Sequence, residues 1–138
     1  MPAGTAVALQ RGVQHHRILV VDDADTIRFA FGRHLRSCGF EVDCARELEE
    51  AEALALHTQY ELVIADLSLT GIDGREGLEI LRFLRRHRPA VRVIVITANA
   101  TASAEREAYA RGAHAFVDKA SPLVEIARLA GALLEQAS

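Results

Sequence analysis

Three short runs of aliphatic and β-branched residues, each closing on a polar side chain, punctuate the sequence: Arg17-Ile18-Leu19-Val20-Val21-Asp22, Glu61-Leu62-Val63-Ile64-Ala65-Asp66 and Arg92-Val93-Ile94-Val95-Ile96-Thr97. Unbroken apolar runs this short read as strands buried on both faces, the condition of a parallel sheet. Two weaker strands are expected at residues 40 to 44 and 113 to 117. Between and after them, segments of helical period fall near residues 25 to 38, 46 to 57, 74 to 87, 101 to 111 and 122 to 136. In the first, Ile27, Ala30, Phe31, His34 and Leu35 recur at spacings of three and four, an inward stripe flanked by Arg28, Arg33 and Arg36. Gly39 and Gly112 stand where two helices should stop, in the left-handed conformation that glycine adopts without steric cost. The alternation makes the chain α/β. Right-handed crossovers then require an open, doubly wound parallel sheet of five strands. Such sheets bind ligands outside the carboxyl ends of their strands, where strand order reverses. Those ends carry Asp22, Asp23, Asp66 and Thr97, and Lys119 follows the fifth strand.

Length and charge narrow the function. At 138 residues the chain fits one domain, expected over residues 17 to 138, with residues 1 to 16 a mobile tail. A net charge of -3 argues against nucleic acid as a partner. No apolar run reaches the roughly 18 residues that a membrane-spanning helix needs, and the first residues lack a signal-peptide pattern, so a cytoplasmic protein is expected. Cys38 and Cys44 read as reduced, buried fillers. The histidines lack zinc-ligand spacing, and no glycine-rich dinucleotide fingerprint follows the first strand.

The chemistry is that of oxygen and charge. Three carboxylates converging on one crevice repel one another and call for a cation. Oxygen ligands with room for water suit Mg2+. A carboxylate beside Mg2+ can attack phosphorus and form an acyl phosphate, given a cation and a hydroxyl or amide donor for the equatorial oxygens. Asp66, Lys119 and Thr97 supply that set. Lys119 is the only lysine among 16 basic residues, a compact point charge in a chain that otherwise uses arginine.

These residues resemble the receiver domain of bacterial two-component response regulators, over nearly all of residues 17 to 136. Val20-Val21-Asp22-Asp23 is similar to the family's acidic pair, Asp66-Leu67-Ser68-Leu69-Thr70-Gly71-Ile72-Asp73-Gly74 to its phospho-acceptor strand and loop, Ile96-Thr97-Ala98 to its hydroxyl and small residue, and Phe116-Val117-Asp118-Lys119 to its lysine after strand five. The resemblance implies a flavodoxin-like (βα)5 fold with strand order 2-1-3-4-5. It implies that Asp66 accepts a phosphoryl group from a histidine kinase or a histidine phosphotransfer protein. Asp23 and the Ser68 backbone carbonyl would bind Mg2+ directly, and Asp22 largely through water, with Asp66 completing the metal site. Lys119 would pair with a phosphoryl oxygen or with Asp66. Thr97 and the Ala98 amide would follow the phosphoryl group, Phe116 would turn inward, and Ser68 and Asn99 would tune the phosphate's lifetime. A downstream protein would dock on helix four, strand five and helix five, with the chain a monomer or weak homodimer.

Three substitutions depart from the family: Thr70 and Ala120 stand where proline is usual, and Phe116 replaces the commoner tyrosine. None removes a catalytic group. With no output domain after residue 138, a stand-alone type is expected, catalysing its own phosphorylation and dephosphorylation but turning over no external substrate. An alternative is a receiver-fold docking module that is never phosphorylated. A haloacid-dehalogenase-type phosphatase is a weaker rival, because Ser68 stands where its general acid would be. Arg82, Arg85, Arg86, Arg88 and Arg92 cluster around the end of the third helix; the absence of interleaved aromatics favours cations stabilised by the helix dipole over a docking patch.

Overall fold

The computed structural model describes residues 16–67 and 75–137. Five parallel strands stand in the order β2-β1-β3-β4-β5: β1 Arg17–Val21, β2 Glu41–Ala45, β3 Leu62–Asp66, β4 Arg92–Thr97 and β5 Ala115–Asp118. The helices are α1 Asp25–Ser37, α2 Leu48–His57, α3 Arg75–His87, α4 Ala102–Ala110 and α5 Leu123–Ala137. The doubly wound parallel sheet expected from the alternation is observed, with the flavodoxin-like (βα)5 strand order that the resemblance implies.

Alternation along the strands sorts the core into two layers. Leu19, Val63, Val93 and Val95 meet Ala51 and Ala55 of α2, Ile80, Leu81 and Leu84 of α3, and Ala108 of α4. Ile18, Ile64, Ile94 and Ile96 meet Phe31 and Leu35 of α1 with Ile126, Ala130 and Leu134 of α5. Each large aliphatic side chain buried this way contributes roughly 1.5–3 kcal/mol of transfer free energy, so the sheet is held from both faces. Register is tied by ladders such as Val21↔Ala65 and Asp66↔Ile96, which set the carboxyl ends of β1, β3 and β4 side by side.

Two strands begin later than the sequence suggests, for one reason. The amide of Phe40 donates to the Leu35 carbonyl at 3.2 Å and that of Ala113 to the Ala108 carbonyl at 3.0 Å. These residues close α1 and α4 instead of joining the ladder, and Gly39 (φ 98°) and Gly112 (φ 108°) make the left-handed turns between. Cys38 corrects another expectation. It terminates α1 outside the apolar stripe and is exposed, and Cys44 is half-buried. Among the described residues no helix is long and apolar enough to cross a membrane.

Candidate functional site

The carboxyl ends of β1 and β3 place Asp22 and Asp66 against each other because parallel pairing brings Val21 opposite Ala65. Asp22 is fully buried, Asp66 nearly so and Asp23 exposed. One ligand oxygen from each of the three lies within 4.8 Å of the others. Lys119 reaches in from the end of β5, its amide donating to the Thr97 carbonyl at 2.8 Å. Its Nζ donates to Asp66 Oδ2 at 3.0 Å and lies 2.8 Å from Asp22 Oδ2. The second contact is an ion pair off the hydrogen-bond direction, and Asp22 Oδ2 is left buried without a hydrogen-bond donor. Its other oxygen, Oδ1, accepts the Ala24 amide at 2.9 Å and thereby holds the turn into α1.

Electrostatics follow from burial. Desolvation pushes the Asp22 carboxyl above its ordinary value and the nearby Asp66 adds to this, against the lowering effects of Lys119 and the Ala24 amide. Burial alone would pull the Lys119 ammonium down; its contacts with Asp22 and Asp66 outweigh it and hold the pKa above 10.5. Three clustered carboxylates, two of them buried and sharing a single ammonium, are a hard, oxygen-only donor set short of positive charge, so these residues fit Mg2+.

Thr97 is buried at the end of β4, one residue past the partner of Asp66 in the ladder. Its Oγ1 accepts the Asn99 amide at 3.1 Å, which leaves the hydroxyl proton free to donate elsewhere. Ala98 and Asn99 are exposed above it. Phe116, opposite Val95, packs half-buried against the core layer under α2, α3 and α4. Ser68 and Thr70 lie outside the described residues.

Arg28 is the participant that sequence reasoning missed. Read as a flanking cation, it folds back from α1: Nη1 donates to the Asp22 carbonyl at 2.6 Å and Nη2 pairs with Asp25. Its i,i+3 spacing from Asp25 was the available signal. The guanidinium clamps the segment that presents the acidic pair.

Residues 18–130 match the family model of the response regulator receiver domain. The chain belongs to that family. Receiver domains serve phosphorylation-based two-component signalling, bind Mg2+ at an acidic pocket, and interact with histidine kinases or phosphotransfer proteins and with downstream targets. The sensory/regulatory protein RpfC of Xanthomonas campestris pv. campestris is 33% identical over 111 residues, covering 78% of this chain. The match spans only 15% of that relative's length. A CheY-like receiver domain from Methanospirillum hungatei JF-1 superposes with a TM-score of 0.83 at 25% identity, covering 90% of this chain and 97% of that one. A response regulator from Burkholderia pseudomallei, solved with a phosphorylated aspartic acid, a calcium ion and citrate, has a TM-score of 0.74 at 26% identity, with 85% of this chain and 71% of that one covered.

Proposed function

We propose that this receiver takes a phosphoryl group onto Asp66 from a phosphohistidine of a histidine kinase or phosphotransfer protein, and signals through protein contacts. One observation carries the reading: Asp66 lies between a lysine ammonium at 3.0 Å and two further carboxylates able to share a cation. In the transfer the histidine N–P bond breaks, an Asp66 O–P bond forms, and the neutral imidazole leaves. Hydrolysis of the acyl phosphate returns Asp66 and inorganic phosphate. Mg2+, when bound, neutralises charge on the phosphoryl oxygens.

The chain's own residues have separate parts. Asp23, exposed at the mouth, would hold the cation together with Asp66 and the Ser68 carbonyl, and buried Asp22 would act largely through water. Lys119 stays charged throughout the physiological range, because its pKa is raised. It exchanges its contact with Asp66 for one with a phosphoryl oxygen. Thr97 donates its hydroxyl proton and Ala98 its amide to the same group. Phe116 turns toward the space that Thr97 vacates and reshapes the face of α4, β5 and α5 for a downstream protein. Ser68 and Asn99, two residues beyond Asp66 and Thr97 in the sequence, tune the phosphate's lifetime.

The test is a phosphate-affinity gel after incubation with acetyl phosphate and Mg2+. A slower band in wild type that is lost in Asp66→Asn supports the reading. No shift in wild type, or a shift retained in Asp66→Asn, overturns it.

A further inference from the structure

The arginines around the end of α3 do not share one fate. Arg88 is consumed structurally, its Nε and Nη2 donating at 2.9 Å to the Ala55 and Leu56 carbonyls and so capping the end of α2. Arg82, Arg85 and Arg86 instead line an open pocket of about 550 Å3, completed by Ala110 and Arg111 at the end of α4. Four of the five lining residues are arginines and none is acidic. Arg82 and Arg86 are exposed and make no ion pair among the described residues. Between Ile80 and Ala104 the sequence holds no acidic residue.

The pocket is built rather than incidental. Arg85 crosses over Gly112, where a Cβ would come within 2.7 Å of its Cδ. Its Nη2 is fixed on the Val91 carbonyl at 2.7 Å, and its Nε is buried without a partner. Arg85 and Arg92, after burial, help to hold the nearby His114 neutral by pulling its pKa down. Arg111 pairs with Glu107 at 3.3 Å, whereas the charges of Arg82, Arg85 and Arg86 have no acidic partner among the described residues, in a chain whose net charge is -3.

We infer that this α3–α4 pocket is a docking site for an acidic segment of a protein partner, its carboxylates taken up by the forks of Arg82 and Arg86, with Arg111, already paired with Glu107, adding charge at the rim. A free phosphate is a poorer match, because the pocket has no helix-start amides to cradle one. A carboxylate-rich segment spreads its charge over several guanidinium forks and gains a bidentate pair at each. Nucleic acid is disfavoured by the overall negative charge. The site stands at the end of the sheet opposite Asp66, so the assignment does not rest on phosphorylation.

The experiment is anisotropy of a fluorescein-labelled poly-glutamate peptide titrated with the full chain at low salt. Wild type binds, and Arg82→Gln/Arg86→Gln binds about tenfold more weakly at an unchanged thermal midpoint. Arg111→Gln weakens binding in the same direction, whereas Arg33→Gln/Arg128→Gln, on α1 and α5 across the sheet, binds as wild type does. Equal affinity of the Arg82→Gln/Arg86→Gln protein overturns the assignment. So does displacement of the peptide by pyrophosphate or duplex DNA at lower carboxylate-equivalent concentration, or sedimentation showing that these arginines bind a second copy of the chain.

Discussion

Lys119 Nζ stands 2.8 Å from Asp22 Oδ2 and 3.0 Å from Asp66 Oδ2, so a single ammonium answers two buried carboxylates. The cluster is short of positive charge, and Asp22 bears the cost. Its folded pKa lies above the unfolded value of 3.8, so the folded state holds the proton more tightly. Stability therefore falls as pH rises from 3.8 through the folded value, and the ionised group remains a penalty above it. In EDTA at neutral pH, Asp22→Asn, whose amide oxygen can still accept the Ala24 amide, is expected to gain about 1 kcal/mol, a few degrees in thermal midpoint. Lys119→Met is expected to lose about 3 kcal/mol, and the double variant to recover part of it. Lys119 has the opposite sign: its contribution is complete below 10.5 and disappears as pH rises through its raised folded value. An Asp22→Asn protein that melts below wild type contradicts this account of the acids.

Asp23 is exposed where Asp22 is buried, so the two acids should separate on adding metal. Saturating Mg2+ at about 100 times its dissociation constant raises wild-type stability by roughly 2.7 kcal/mol if it binds only the folded chain. Asp23→Asn is expected to melt near wild type in EDTA and to lose most of the Mg2+-dependent rise. Calorimetry with and without the ion reads both, and a full rise in the variant removes Asp23 from the ligand set.

Arg28 joins the Asp22 carbonyl to Asp25 through the two ends of one planar fork. Arg28→Ala should cost about 1–2 kcal/mol and slow phosphorylation by acetyl phosphate, because the acidic pair loses its clamp. Arg28→Lys should restore little, since a single ammonium cannot reproduce both geometries. Full rescue by lysine in both midpoint and rate would reduce Arg28 to a simple charge.

Much of this site is legible in the sequence because parallel strands place their ends by rule. Asp22, Asp66 and Thr97 each close an apolar run, and the right-handed crossover brings those runs together. The glycine turns were legible too, since a positive φ leaves a mark on residue type. What arginine side chains do was not. Arg28 and Arg33 look alike in the helical pattern, yet one folds onto the Asp22 carbonyl and the other stays in solvent. Arg88 and Arg86 are two positions apart, yet only Arg88 meets the open carbonyls of α2. The fate of a long side chain depends on which neighbouring element ends beside it, a tertiary fact that spacing does not carry.

His114 sets the acid limit of the β4–β5 edge. Its Nδ1 accepts the Val93 amide at 3.1 Å, a role open only to the neutral ring at that nitrogen. Burial, then Arg85 and Arg92, pull its pKa below 6.5. Unfolded chains bind the proton first on acidification, so this contribution is whole above 6.5 and is lost as pH falls through the lower folded value. His114→Asn, unable to take up the proton, should flatten the dependence of denaturant midpoint on pH below 6.5. An unchanged slope would show that the acid loss originates elsewhere.

Gly39 and Gly112 share a left-handed conformation but not their surroundings, and alanine at each should separate strain from crowding. At Gly39 a Cβ meets nothing within 4 Å, so Gly39→Ala carries only the backbone cost, about 1 kcal/mol. At Gly112 it comes within 2.7 Å of the Arg85 Cδ and must also displace a guanidinium fixed on the Val91 carbonyl. Gly112→Ala should therefore cost about 2–3 kcal/mol. Truncating the obstruction in Arg85→Ala/Gly112→Ala should return its cost relative to Arg85→Ala to the Gly39→Ala value. If the two glycine variants unfold at the same denaturant midpoint, the close approach of Arg85 contributes nothing and Gly112 is only a helix stop.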